Sequence, residues 1–157
     1  TQNDIHVQDL MFIPNNEIPN GTQLKWAILK YGSIDVTYNG QSTYDDVTPY
    51  YRPDTHSQYV NVTIPPNHAV SVVGWDDNLS KDNFREHPPA DGAWICKNSW
   101  GNNWGDNGYF YVSYYDRSFA MSSLQNTAYT VIFNDTIKYD KNYQYDIAKT
   151  DYFFIYQ

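Results

Sequence analysis

The stretch DGAWICKNSWGNNWGDNGYFYVSYYD, residues 91–116, decides how the chain is read. Its two ends are rich in Trp, Ile, Tyr, Phe and Val, residue types that suit a pleated, half-buried surface, and are expected as strands at 93–98 and 109–115. The Gly and Asn residues between them mark a loop over 99–108. Upstream, HAVSVVGW at 68–75 makes a third strand, joined to the first by a polar stretch, 76–92, that contains Pro88-Pro89. Downstream, a further strand is expected at 128–133.

Nearer the N-terminus the period changes. Leu24, Ala27, Ile28 and Tyr31 fall at i, i+3, i+4 and i+7, one face of a helix, with Thr22 placed as N-cap and Gly32 just past the end. Residues 33–38 then alternate, Ile34, Val36 and Tyr38 on one side against Ser33, Asp35 and Thr37, and Asn39-Gly40 turns the strand. The Tyr-rich segment that follows is broken by Pro49 and Pro53; it reads as loop with one short strand at 59–64, stopped by Pro65-Pro66. Residues 1–20 read as an extended lead-in and 135–157 as a Tyr- and Asp-rich tail. The expected fold class is α+β, one helix plus an antiparallel, barrel-like sheet.

Composition narrows function. A chain of 157 residues holds one compact domain or a large part of something bigger, and not two full enzyme domains. Ten basic against eighteen acidic residues leave a net charge of −8, so no basic field exists to neutralise phosphates, and nucleic acid is not an expected partner. The longest aliphatic run, 69–73, is far shorter than the roughly 20 apolar residues of a membrane helix, and no membrane span is expected. A single cysteine forms no internal disulfide. The chain opens on Thr1 without an initiator Met or leader, so it is expected to be a fragment of a longer protein. Sequons at Asn20, Asn61, Asn78 and Asn134 fit a secreted or cell-surface chain, although Asn, Ser and Thr are common enough here to produce them by chance.

Histidine is the side chain that exchanges protons near neutral pH. His6, His56 and His87 lie in polar, loop-like stretches and read as surface residues. His68 stands at the mouth of an apolar strand, where a loop can hand its ring to a cleft. Asp76-Asp77-Asn78 begins like a calcium loop, but Lys81 stands where Gly is needed and His87 where the bidentate Glu is needed, so no metal site is expected.

The 91–116 stretch, together with PNHAVSVVGWDD at 66–77 and LKWAILKYGSIDVTYN at 24–39, resembles the β-rich half of the papain-like cysteine peptidases. By that resemblance His68 is the catalytic acid/base and Asn98 the amide that orients it. Trp100 would cover the bond between them, and Trp104 would line the leaving-group side of the cleft. Residues 1–134 would form the β-rich half. The reaction implied is peptide-bond hydrolysis through an acyl-thiol intermediate, with a peptide or protein substrate and no cofactor. The family's Cys-Trp nucleophile motif and its oxyanion-stabilising Gln do not occur here, so the partner implied is a Cys-bearing helical half. Cys96 is expected to be buried and unreactive, and the chain alone to hydrolyse nothing. Loss of the other half would expose an apolar face open to homodimer contact. YDKNYQYD at 139–146 resembles the segment that, in some prokaryotic members, leads into a lectin-like module. The alternative reading is a non-catalytic cell-surface module that keeps the fold and binds glycan or protein through exposed aromatic residues.

Overall fold

A computed structural model describes residues 6–14, 21–40, 50–121 and 127–134. The chain runs β1 (His6–Pro14), α1 (Thr22–Tyr31), β2 (Ile34–Tyr38), β3 (Tyr51–Arg52), β4 (Ser57–Gln58), β5 (His68–Asp76), a 3-10 turn (Lys81–Asn83), β6 (Ala93–Lys97), β7 (Tyr109–Ser113) and β8 (Thr127–Asn134). The eight strands form one sheet in the order β1-β8-β2-β5-β6-β7-β4-β3. The α+β class is as read, with two differences. The sheet is mixed, since β4 runs parallel to β7 through Ser57↔Tyr111 and Gln58↔Val112. It is also open: among the described residues no pairing joins β3 back to β1 to make a barrel.

The helix covers the expected residues and buries the expected Leu24, Ala27 and Ile28. Thr22 is not its N-cap. Gly21 takes that place at φ +49°, its O accepting from Lys25 N at 3.0 Å, and a Cβ there would lie 2.4 Å from the Trp94 ring. A positive φ and an indole against the Cα together favour glycine. Burial alternates along β2, where Ile34, Val36 and Tyr38 face inward as their spacing requires. With α1, they close a core that includes Val70, Val72, Trp94, Cys96, Phe110, Val112 and Ala128.

Two further readings need correction. The lead-in contains β1, which pairs antiparallel with β8 from His6↔Asn134 to Pro14↔Thr127. A register shift between Val7 and Asp9 breaks its alternation, and its partner lies at the other end of the sequence. No strand forms at 59–64. The ladder lies just before it, in the β3–β4 hairpin (Tyr51↔Gln58, Arg52↔Ser57), and Val60 N donates to the Asp116 carboxylate instead of to another strand. Within the connection 76–92, Phe84 is buried with Tyr59 and Ala93 in a second small core. That core is tied to the hairpin by Arg52 Nη1 and Thr55 Oγ1, which donate to the carbonyls of Asp82 and Asn83. Residues 135–157, including the 139–146 segment, lie outside the described residues.

Candidate active site

His68 is the first residue of β5 and pairs with Tyr38, the last residue of β2. Asn98 follows Lys97, the last residue of β6, and Lys97 pairs with Ser71 on β5. The antiparallel register therefore brings both residues to one end of the sheet. Their side chains meet, with His68 Nε2 2.9 Å from Asn98 Oδ1.

The identity of the acceptor atom follows from a neighbour. Ser99 N lies 2.8 Å from the same oxygen, and a backbone N–H only donates, so that atom is the carbonyl oxygen of the amide. His68 Nε2 must then carry the proton and donate, which leaves Nδ1 as the basic nitrogen of the neutral ring. Asn98 is buried at 5 % exposure, and its own N–H accepted by Gly108 O at 2.9 Å anchors it to the loop ahead of β7. Its Nδ2 is enclosed and has no hydrogen-bond partner among the described residues.

Aromatic rings surround the imidazole. Trp100 stacks on it at 5.0 Å between centroids and 20° between planes, and Trp104 meets Trp100 edge-on at 4.9 Å. Phe110 continues from Trp104 at 5.2 Å, Tyr38 from Phe110 at 5.4 Å, and Tyr38 returns to His68 at 5.6 Å. Trp104 is also stacked on Tyr51 of the β3–β4 hairpin. The loop that carries both indoles is held by Gly108 N donating to Trp104 O at 2.7 Å and Lys97 Nζ donating to Asn107 O at 3.1 Å. Behind the imidazole, a Cβ on Gly40 would come within 2.6 Å of His68 Cβ, so the turn after β2 is pressed against the ring's root.

Cys96 is fully buried in the main core. Burial pushes its thiol pKa well up, and the negative charge of Asp116 adds to the effect. His56 lies in the β3–β4 turn at φ 51°, and His87 is exposed, 3.8 Å from Asp82. Among the described residues no group of three His, Cys, Asp or Glu side chains is placed to hold a metal ion. Sequence reading missed Tyr38 and Phe110 as walls of the site, although their inward parity on β2 and β7 was visible. It also missed the buried carboxylate of Asp116, two of whose partners, Gln58 and Val60, come from a distant segment.

The sequence profile of the papain family cysteine proteases matches residues 2–132. The chain belongs to the papain family. Within that family it is 30 % identical over 112 residues to mouse cathepsin J, covering 69 % of this chain and 28 % of that protein. Among solved structures it resembles the clostridial cysteine protease Cwp84 after propeptide cleavage, with TM-score 0.65, 34 % identity, and 80 % of this chain and 28 % of the other covered. A second structure, of the cysteine protease and lectin-like domains of Cwp84, a surface layer associated protein of Clostridium difficile, gives TM-score 0.65 and 32 % identity over 83 % of this chain and 27 % of that one. The chain thus spans about a quarter of the length of these papain-family relatives.

Proposed function

We propose that residues 1–134 are the His- and Asn-bearing half of a papain-like peptidase domain, with His68 as acid/base and Asn98 as its orienting amide. The observation that carries this reading is the 2.9 Å His68–Asn98 contact, held in one amide orientation and one ring tautomer. A thiol brought to Nδ1 passes its proton to the ring, and the thiolate attacks the peptide carbonyl carbon. The imidazolium then protonates the leaving amine from Nδ1, and water drawn to the same nitrogen hydrolyses the acyl-thioester, releasing the acid and restoring the thiol. Asn98 suits its place because a neutral amide holds Nε2–H without titrating itself. Trp100, stacked on the imidazole, shields that bond. Trp104 backs Trp100 and lines the leaving-group side.

Cys96 does not supply the thiol, since its sulfur is enclosed in the core. The nucleophile and the oxyanion-stabilising Gln come from a Cys-bearing helical half, and the substrate is a peptide or protein. Residues 135–157 serve as the link to an accessory module. Cwp84, with its lectin-like domain and surface-layer association, supports a lectin-like module and a secreted or cell-surface setting. Exposed Val7, which pairs with exposed Phe133, and exposed Phe12, Trp26 and Leu29 support self-association of the isolated chain.

The test is an assay on fluorogenic peptides with reductant, with and without a Cys-bearing helical half. The chain alone should give no turnover and the joined halves thiol-dependent turnover, reduced by about 10²–10⁴-fold in His68→Ala. Turnover by the chain alone, lost in Cys96→Ala, would overturn the reading.

A further inference from the structure

The carboxylate of Asp116 is 1 % exposed and makes no ion pair among the described residues. Burial raises its pKa, while four donors directed at its two oxygens favour the ionised form. Oδ1 accepts from Ser118 N at 2.9 Å and Ser118 Oγ at 2.7 Å; Oδ2 accepts from Val60 N at 2.9 Å and Gln58 Nε2 at 3.3 Å. A buried carboxylate without a cation is costly, so its presence calls for an explanation.

Its two arms converge on one residue. Ser118 Oγ, with its hydrogen committed to Asp116, accepts from Asn39 N at 3.1 Å. Gln58 Nε2 has two hydrogens, and beside the bond to Asp116 it donates to Asn39 O at 3.4 Å. Both peptide groups of Asn39 are therefore gripped from the same carboxylate. Asn39 Nδ2 donates to Pro65 O at 2.9 Å, Gly40 N to Asn67 Oδ1 at 2.7 Å, and Asn67 N to Tyr38 O at 3.0 Å. The segment held in this way carries Tyr38, whose ring lies 5.6 Å from His68, and Gly40, whose Cα is pressed on His68.

We propose that Asp116 is a positioning residue for His68, acting through Ser118 and Gln58 on the Asn39–Gly40 turn that backs the imidazole. The inference rests on His68 being the acid/base of the site, but its test does not need catalysis. The readout is ¹⁵N NMR of the His68 ring in the chain, giving the tautomer and the rate at which Nε2–H exchanges with water. Ser118→Ala keeps the bonds to Ser118 N, Val60 N and Gln58, so it should fold even where Asp116→Asn does not. It removes the bond from Asn39 N to Ser118 Oγ and should speed His68 Nε2–H exchange by about threefold to tenfold, the range expected for one neutral hydrogen bond. Ile13→Ala, a cavity in β1 three strands from β5, is the control and should leave that exchange at the unmodified rate. Unchanged exchange in Ser118→Ala, or an equal acceleration in Ile13→Ala, overturns the proposal. Failure of the underlying reading has a separate signature: a proton on Nδ1 in the unmodified chain.

Discussion

Replacing Gly40 by Ala adds one methyl group where there is no room for it. The new Cβ would sit 2.6 Å from His68 Cβ, 3.1 Å from Cγ and 3.2 Å from Cδ2. Carbon atoms rest at about 3.5–4.0 Å, so the two Cβ atoms must separate by roughly 0.9 Å or more. Neither is the loose end of a flexible side chain, and relief requires the ends of β2 and β5 to move apart. The Tyr38↔His68 pair and the bonds of Asn67 to Tyr38 and Gly40 oppose that movement. Overpacking of this kind costs about 1–3 kcal/mol, which at about 2–4 °C per kcal/mol for a chain of this size lowers Tm by roughly 2–12 °C. If the ring takes up the displacement, the 2.9 Å contact to Asn98 opens past hydrogen-bonding range. On the proposed role of His68 as acid/base, a misplacement near 1 Å would be worth about 10²-fold in rate once the halves are joined. Calorimetry and His68 ring NMR check both parts. A Tm within about 1 °C of the parent chain together with unaltered His68 resonances would refute the packing argument.

Other outcomes follow from the same geometry. Cys96 should react with a water-soluble disulfide reagent only through unfolding, at least about 10³-fold slower in the native chain than in denaturant, as judged by the labelling rates under the two conditions. Phe84→Ala empties the second core and should cost about 3–5 kcal/mol locally, detected as proteolytic cleavage within 76–92 before the sheet unfolds. Asp77→Asn removes the ion pair with Lys25 at 2.5 Å and should cost only about 0.2–1 kcal/mol, because the Asp77 side chain is 59 % exposed. The Lys25 hydrogen bond, then that of Tyr114, lowers the Asp77 pKa below its ordinary 3.8. The folded-state pKa is the lower one, so this stabilisation is present above 3.8 and disappears as pH falls through the folded value. Melting curves of the variant and the parent should therefore differ at neutral pH and converge in strong acid.

What was legible in the sequence is what repeats at one period within one segment. Leu24, Ala27 and Ile28, or Ile34, Val36 and Tyr38, announce their buried face because the period is unbroken. β1 hides because the shift between Val7 and Asp9 breaks the period, and β3 and β4 hide because two residues carry no period at all. The His68–Asn98 contact was readable from a motif with strands on both sides. The grip on Asn39 was not, because Gln58, Asp116 and Ser118 come together only after three segments have found their places.

The pairing of β1 with β8 also sets the order in which the chain can assemble. His6 and Asn134 bracket every other strand, so zipping β1 onto β8 closes the whole described chain into a loop. That closure carries the largest entropic charge of any ladder, whereas the hairpin-like neighbours β5, β6 and β7 close short spans. Nucleation should therefore start around the strands that flank His68 and Asn98, with β1 joining last and slowing the overall rate. The segment nearest the N-terminus thus waits for residues 127–134 before it has a partner, leaving β1 without its ladder until almost the entire described chain is available.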